Sequence, residues 1–283
     1  GANDMKSSIA AFVTAVSNFS KINKKFSGSI SLLITGDEEG IAINGTKKVV
    51  EYLRKRKEKI DFCLVGEPTN PNKLGEMIKI GRRGSMTGKL SVIGIQGHVA
   101  YPNRANNPST ALVRILKELK EIKFDKGTKD FQPTNLEITK INIDNLADNV
   151  IPGLASASFN IRFNNKHTSY KLKNKINKII KQICNKNKSK YKIEYSVSGE
   201  AFLTKPNKTT FMIQNTIKRI TKIKPKLSTT GGTSDARFIR KIAPCLEFGL
   251  VGKTMHKVGE CVSLSDLKRL TLIYTKILDN YFK

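Results

Sequence analysis

The sequence contains no tryptophan, only three histidines, and only four cysteines that lie far apart along the chain. The cysteines (Cys63, Cys184, Cys245 and Cys261) form no Cys-x-x-Cys pair, which argues against both a disulfide framework and a zinc knuckle. No run approaches the roughly 18 consecutive apolar residues of a membrane-spanning helix. The first residues also lack the charged and apolar regions of a signal peptide. We therefore predict a soluble cytoplasmic protein with free thiols and no membrane partner.

Acidic residues are also scarce. The chain has 23 aspartates and glutamates and 51 lysines and arginines, which gives a net charge of +28. A basic field of this size attracts nucleic acid or an anionic membrane. The lysines, however, are scattered through every segment and accompany asparagine and isoleucine, as in KLKNKINKIIKQICNKNKSKYK (171–192). This distribution is more typical of a genome rich in A and T than of a nucleic-acid-binding face. We therefore interpret the positive charge as a bias of codon usage and keep nucleic-acid binding as the alternative.

The apolar content of 39% over 283 residues is sufficient for a sizeable core, and its pattern alternates between helical and strand-like segments. Apolar residues at helical spacing predict a helix over residues 5–20, and a buried strand follows in GSISLLITG (28–36). The next segments are an amphipathic helix in GTKKVVEYLRKRKEK (45–59) and a second buried strand in IDFCLVGEP (60–68). Helices alternating with buried strands predict an α/β domain with a largely parallel sheet.

The pattern changes near Arg83 to a strand, a helix, two strands, a helix and a strand, which predicts a compact α+β domain. After KYKIEYSVSG (190–199) it returns to a helix, the glycine-rich turn TTGGTSDARFI (229–239), a strand and a closing helix from about Ser263. We therefore predict an α/β domain over residues 1–83 and 201–283, interrupted by an inserted α+β domain over residues 84–200.

Polar residues follow the predicted strands at three places, and ligands of open α/β sheets bind beyond the carboxyl ends of strands. Asp37, Glu38 and Glu39 end one strand, Glu67 ends another, and His256 follows the strand APCLEFGLV (243–251). Each place taken singly is typical of a solvated turn or of a histidine with a structural hydrogen bond. Zinc, however, accepts carboxylate oxygen and imidazole nitrogen, and close carboxylates repel one another unless a cation holds them. Together with Asp4, near the start of the chain, these residues predict a metal site. Its ligands would be Asp4, Glu39, Glu67 and His256, and Glu38 would be the general base.

The other two histidines differ in their surroundings. His98 follows an apolar strand in a loop rich in glycine, proline and asparagine, where it is accessible to a ligand. His167 stands in a polar run before a helix, and we predict that it lies on the surface.

Several motifs occur in the order found in one family: GANDMKSS (1–8), ITGDEEG (34–40), LVGEPT (64–69), GRRGS (81–85), GIQGHVAYP (94–102), DNVIPG (148–153), FNIRF (159–163), TTGGTSDARFI and MHKVGECV (255–262). In these motifs the chain resembles the zinc aminoacylase and carboxypeptidase-like amidohydrolases from Gly1 to the last helix. It resembles most the members that release succinate from N-succinyl-L,L-diaminopimelate, in diaminopimelate and lysine biosynthesis.

The resemblance implies a zinc-exopeptidase-like catalytic domain, N-terminally incomplete, with an inserted ferredoxin-like dimerisation domain and a homodimeric assembly. It implies two Zn²⁺ ions per subunit, one of them replaceable by Co²⁺. Asp4 would bridge the ions, Glu39 and His256 would bind one, Glu67 would bind the other, and Glu38 would be the general base. His98 would stabilise the oxyanion across the dimer. The substrate contacts implied are Arg82, Tyr101, Asn149, Gly232, Thr233 and Ser234.

The sequence departs from this family in one important respect, because no His-x-Asp motif precedes Asp4. In the family the histidine of that motif binds the same ion as the residue matched by Glu67. We therefore expect at most one tightly held metal and little activity, as for a fragment. Asp148 and Ala236 also replace the more usual asparagine and glycine.

Two alternatives stay open at this stage. The acyl group is different in the first, so that the chain is an acetylornithine deacetylase or a dipeptidase. In the second, the chain is a basic nucleic-acid-binding protein or scaffold without catalysis. The product released from acylated substrates distinguishes the first, and a salt-dependent gel shift tests the second.

Overall fold

The structure is a computed structural model that describes residues 1–40, 42–145 and 147–283, and the chain divides into two compact units. Unit 1 comprises residues 1–82 and 203–283, and unit 2 comprises residues 83–202. The helices are α1 (Ser7–Ile22), α2 (Thr46–Lys55), α3 (Pro108–Glu121), α4 (Ser169–Lys186), α5 (Lys208–Thr221), α6 (Ala236–Ile239) and α7 (Leu264–Tyr281).

The strands of the described chain are short in unit 1, whereas unit 2 has four strands of eight to ten residues and two strands of two residues. They are β1 (Cys63–Val65), β2 (Met77–Lys79), β3 (Gly81–Arg82), β4 (Gly84–Ile93), β5 (Gly97–His98), β6 (Asn135–Asn142), β7 (Val150–Ile151), β8 (Leu154–Phe163), β9 (Lys190–Gly199), β10 (Phe202–Leu203), β11 (Lys226–Ser228) and β12 (Cys245–Glu247).

Unit 1 contains a four-stranded sheet in the order β1-β12-β2-β11. Strand β1 runs parallel to β12, and β11 runs parallel to β2, whereas β12 and β2 are antiparallel at Glu247 and Lys79. The prediction of an α/β arrangement is confirmed. The sheet is mixed, because one antiparallel pair joins two parallel pairs.

The helices of unit 1 bury a continuous core against this sheet. Helix α1 contacts α7, and the rings of Phe12 and Tyr274 stack with their centroids 3.8 Å apart. The buried hydroxyl of Tyr274 donates a hydrogen bond of 2.6 Å to the carbonyl of Phe248. Because a buried hydroxyl without a partner is destabilising, this bond lets the large ring be buried without that penalty.

The run GSISLLITG was predicted to be a buried strand, and that prediction is wrong. Residues 29–35 form no strand in the structure, and Leu32, Leu33 and Ile34 are 47%, 43% and 60% exposed. Apolar composition alone does not make a strand, since a strand needs a neighbour that pairs with its backbone groups. Among the described residues this segment has no such ladder, and β1 pairs only with β12.

Unit 2 is an antiparallel sheet in the order β6-β8-β4-β9, with α3 and α4 packed against it. The chain order is strand, helix, two strands, helix and strand, which is the ferredoxin-like arrangement. The α+β prediction is therefore confirmed. Alternate residues of β8 point inward to the core, and they are Ala155, Ala157, Phe159, Ile161 and Phe163.

Two helices of unit 1 begin with a polar side chain that caps the helix. The side chain of Asn207 accepts from the amide of Thr210 in a capping box at the start of α5. The side chain of Ser263 accepts from the amide of Asp266 at the start of α7, where the closing helix was predicted.

Candidate functional site

Three of the predicted metal ligands, Asp4, Glu39 and His256, lie together in unit 1. Nε2 of His256 is 3.2 Å from Oδ2 of Asp4 and 3.3 Å from Oε1 of Glu39, and one ligand atom of each residue lies within 4.8 Å of the others. Zinc binds such atoms at about 2.0–2.2 Å, so tetrahedral ligands stand roughly 3.3 Å apart. The spacing and the donor types therefore fit a single zinc ion.

Asp4 is held in place by the segment before α1 and by Glu260. The backbone amides of Asn3 and Asp4 donate to Oε1 of Glu260 at 2.5 and 2.9 Å. The side chain of Asn3 is buried and donates to the carbonyl of Val251 at 2.9 Å. Glu260 belongs to the same motif as His256, so one segment orients Asp4 and also supplies the imidazole beside it.

His256 occupies an unusual backbone conformation in a strongly negative environment. Its φ angle is 61°, in the left-handed region that residues with a β-carbon rarely adopt. The charge of Glu39, and then a hydrogen bond to Asp4, raise the pKa of the imidazole. A cation competes with the proton for this imidazole, so binding of a metal releases a proton.

Glu38 lies beside these ligands and has the properties of a general base. Burial in the first place, and the charge of Asp235 in the second, raise the pKa of Glu38 to about 7, while Arg237 opposes the shift. Nη1 of Arg237 stands 3.7 Å from Oε1 of Glu38. A carboxylate with a pKa near the working pH transfers protons in both directions most effectively.

Glu67 follows β1 and lies outside the group of three ligands within the described part of the chain. Burial raises the pKa of Glu67 to about 9, and the charges of Glu247, Asp4 and Glu38 add to this shift. The carboxylates of unit 1 thus repel one another at close range. A cation among them would offset that repulsion, which is a second observation that fits a metal.

Arg82 and Ser234, two of the predicted substrate contacts, are buried against Glu247. Nε of Arg82 donates to both carboxylate oxygens of Glu247 at 3.0 Å, and Nη2 makes a further close contact with Oε2. Oγ of Ser234 donates to Oε1 of the same carboxylate at 2.6 Å. In the same turn Gly232 is exposed and Thr233 is half-buried.

His98, Tyr101 and Asn149 lie together in unit 2, where all three are exposed. Strand β5, which ends at His98, pairs with β7, and the amide of Val99 donates to the carbonyl of Asn149 at 3.0 Å. The rings of His98 and Tyr101 have centroids 5.8 Å apart. The amide of Ala100 donates to Nδ1 of His98 at 3.0 Å, so the neutral ring carries its proton on Nε2.

Sequence reasoning assigned no role to Glu247, Asp235 or Arg237. Glu247 stands alone within an apolar strand, and an isolated acid in a buried run is the signal by which it could have been found. Asp235 and Arg237 lie in the quoted glycine-rich turn, and only the folded chain places their charges beside Glu38.

Comparisons with known proteins agree in family and in fold. The model of peptidase family M20/M25/M40 matches residues 1–280. The succinyl-diaminopimelate desuccinylase of Pelagibacter ubique is 79% identical over 282 residues, which cover 100% of this chain and 73% of that protein. The succinyl-diaminopimelate desuccinylase of Parvibaculum lavamentivorans is 51% identical over 282 residues, with 100% and 71% covered.

Two solved structures with low sequence identity show the same fold. The aminopeptidase PepT of Bacillus cereus superposes with a TM-score of 0.82 at 16% identity, over 99% of this chain and 72% of that one. The M20 family metallo-carboxypeptidase of Sulfolobus solfataricus has a TM-score of 0.75 at 16% identity, over 98% and 75%. Within the described residues, every helix is too short or too polar to cross a membrane.

Proposed function

The chain belongs to peptidase family M20/M25/M40 and is a hydrolase of that family, and we propose that its substrate is N-succinyl-L,L-diaminopimelate. The products would be succinate and L,L-diaminopimelate. The observation that carries the chemistry is the cluster of Asp4, Glu39 and His256 beside a Glu38 whose pKa is raised to about 7. The relative with 79% identity supports the choice of the succinyl group.

The family uses a divalent metal, and we propose zinc held by Asp4, Glu39 and His256. A second ion, zinc or cobalt, would be held more weakly by Asp4 and Glu67, because Glu67 lies outside the three-ligand group of the described residues. When bound, a zinc ion polarises the amide carbonyl and lowers the pKa of water.

Glu38 would move the proton of the reaction. In its carboxylate form it takes a proton from the attacking water, and it then gives this proton to the leaving amine nitrogen. Arg237 favours the carboxylate form, whereas burial and Asp235 favour the protonated form. The two transfers need both forms of the group, the carboxylate for the first and the carboxylic acid for the second.

His98 would donate to the oxyanion that develops on the amide carbonyl. Because the amide of Ala100 occupies Nδ1, the proton on Nε2 is available to a ligand. Tyr101 and Asn149 lie in the same loop cluster and would contact the substrate, as would Gly232 and Thr233 in unit 1. Arg82 and Ser234, which the sequence also predicted as contacts, are buried and donate to Glu247, and we do not propose that they touch the substrate.

We also propose a cytoplasmic homodimer that presents His98 from one subunit to the site of the other. Unit 2 exposes large apolar side chains suitable for a subunit interface, among them Val113 at 63% on α3 and Ile141 at 58% on β6. Sedimentation of the protein at micromolar concentration tests this, and a monomer at all concentrations would contradict it.

The test of the function is the product released by the protein in the presence of Zn²⁺. We expect succinate from N-succinyl-L,L-diaminopimelate and at least tenfold less acetate from N-acetylornithine. The variant Glu38→Gln should lower kcat by about a hundredfold to ten-thousandfold. Glu51→Gln, an exposed acid of α2, is the matched control and should leave kcat unchanged. Preferential release of acetate would overturn the assignment of the succinyl group.

A further inference from the structure

Glu247 is a fully buried carboxylate that neither the proposed metal site nor the proposed proton transfer uses. It is 1% exposed, at the end of β12 in the middle of the sheet of unit 1. An acidic residue is rarely buried to this degree unless it is paired. The contacts of this carboxylate therefore indicate what it does.

Glu247 joins two segments that are distant in sequence. Arg82 belongs to GRRGS, and Ser234 belongs to the glycine-rich turn; both donate to the same carboxylate. Nη1 of Arg82 also donates to the carbonyl of Thr230 at 3.4 Å. Charge-assisted hydrogen bonds of this bidentate type fix orientation as well as distance.

The turn itself is shaped to lie against the guanidinium. Gly231 has a φ angle of 107°, and a β-carbon at this position would overlap Nη1 of Arg82. Lys79, which is paired with Glu247 across β12 and β2, donates from Nζ to Oγ1 of Thr230 at 2.7 Å. Three buried side chains thus hold the two ends of the turn around Gly232 and Thr233. Arg82 and Lys79 donate to Thr230 before these residues, and Glu247 accepts from Ser234 after them.

A buried ion pair is a poor source of stability, because the loss of hydration offsets most of the attraction. Replacing such a pair by apolar side chains of similar volume is often neutral or stabilising. The pair of Glu247 and Arg82 is therefore better explained by the positions of the groups that it holds than by its contribution to stability.

We propose that Glu247 is a positioning residue for substrate recognition. It holds Arg82 and Ser234 so that the turn 231–234 keeps one conformation, with Gly232 and Thr233 placed against the carboxylate-bearing substrate. The identity of the substrate rests on the proposed function. The fixed conformation of the turn rests on the hydrogen bonds of Glu247.

The test compares Glu247→Gln with the parent protein and with the control Glu51→Gln. Glutamine keeps the shape of the side chain but loses the charge and one acceptor. For succinate release we expect KM to rise at least tenfold while kcat changes less than threefold. If Glu247 served only the stability of the fold, Glu247→Gln would lower the fraction of active protein. The apparent kcat would then fall while KM stayed unchanged, and this result would overturn the proposal.

Hydrogen–deuterium exchange of the turn is the second readout, and it needs no substrate. In Glu247→Gln the amides of residues 229–235 should exchange at least tenfold faster, with unchanged exchange in α1 and α7. Unchanged exchange in the turn overturns the proposal whether or not the protein releases succinate. Faster exchange without succinate release would instead reject the proposed substrate and retain the positioning role.

Ser234→Ala and the double variant Glu247→Met/Arg82→Met keep the test decisive if Glu247→Gln fails to fold. Ser234→Ala removes one neutral donor, and should raise KM about threefold to tenfold with a smaller acceleration of exchange. The double variant Glu247→Met/Arg82→Met replaces the whole pair by apolar side chains and should fold. It should keep a high KM, whereas recovery of the parent KM would contradict the positioning role.

Discussion

Asp125 of unit 2 offers the most direct test of how buried charge is stabilised in this protein. Its side chain is 6% exposed and accepts four hydrogen bonds. The donors are the amide of Gly127 at 2.6 Å, the amide of Thr134 at 3.2 Å, Nδ2 of Asn164 at 2.6 Å and Nε2 of His167 at 2.9 Å. His167, predicted to lie on the surface, is instead part of this network and is 20% exposed.

The variant Asp125→Asn keeps the volume of the side chain but turns an NH₂ group toward two of the four donors. It therefore removes two hydrogen bonds to a charged acceptor, each of which contributes about 1.5–3 kcal/mol. Water at the edge of the site recovers part of the loss. We expect the free energy of unfolding of unit 2 to fall by about 3 kcal/mol at pH 7.

The effect should depend on pH in a defined direction. Burial alone would raise the pKa of Asp125, but the hydrogen bonds from Thr134, Gly127, Asn164 and His167 together hold the pKa well below its usual range. A carboxylate with a lowered pKa in the folded state contributes its full stabilisation above the unfolded value, which is about 3.9. That contribution is lost as the pH falls below about 4. The difference between the parent and Asp125→Asn should therefore shrink between pH 5 and pH 2.

Urea unfolding, followed by hydrogen exchange of β6 and β8, measures this difference for unit 2 alone. The exposed residue Asp144 supplies the control, since Asp144→Asn should change the free energy of unfolding by less than about 0.5 kcal/mol. A difference between the parent and Asp125→Asn that stays constant from pH 7 to pH 2 would refute the assignment of the stabilisation to the ionised carboxylate.

Two further predictions concern the metal and the core. His256→Ala removes one of three clustered ligands. We therefore expect the zinc that is retained after dialysis, measured by mass spectrometry, to fall from about one equivalent to less than a tenth, and Lys257→Ala is the control. Two tightly held equivalents in the parent protein would contradict a single tight site. Gly88→Ala places a β-carbon against the ring of Phe159, so we expect the free energy of unfolding, measured by thermal denaturation, to fall by about 1–3 kcal/mol. A β-carbon at Gly36 meets no atom within 4 Å, so Gly36→Ala should change this free energy by less than about 1 kcal/mol.

The elements that follow from local pattern were predicted well from sequence. Helix α1 and the start of α7 near Ser263 follow from apolar spacing along the chain. The alternation in β8 follows from a sheet with one buried face. Local signals suffice for the helices because the interactions that decide them lie within a few residues of one another. Strand β8 also needs its partners β4 and β6, and its alternation shows only which face is buried.

The run 28–36 could not be predicted from local pattern, because a strand depends on a partner that sequence periodicity does not reveal. The cluster of Asp4, Glu39 and His256 was predicted, but from a family resemblance together with positions after strands. The raised pKa of Glu38 could not be predicted, since it depends on burial and on Asp235, almost two hundred positions later in the chain. Glu247 was missed for the same reason, because its partners come from two separate segments.

The pKa shifts of Glu38 and Glu67 are opposite in direction to the shifts that the net charge of the whole chain would produce. A net charge of +28 on its own would lower the pKa of every carboxyl group. In the site the pKa of Glu38 is raised to about 7 and that of Glu67 to about 9, with burial as the largest cause in both. Scattered lysines act through water, where charges more than about 8–10 Å apart are largely screened, whereas the site carboxylates act on one another at short range. The repulsion that a cation would offset is therefore local to the carboxylates that lie close to one another, among them Glu38 and Glu67, and does not depend on the scattered lysines.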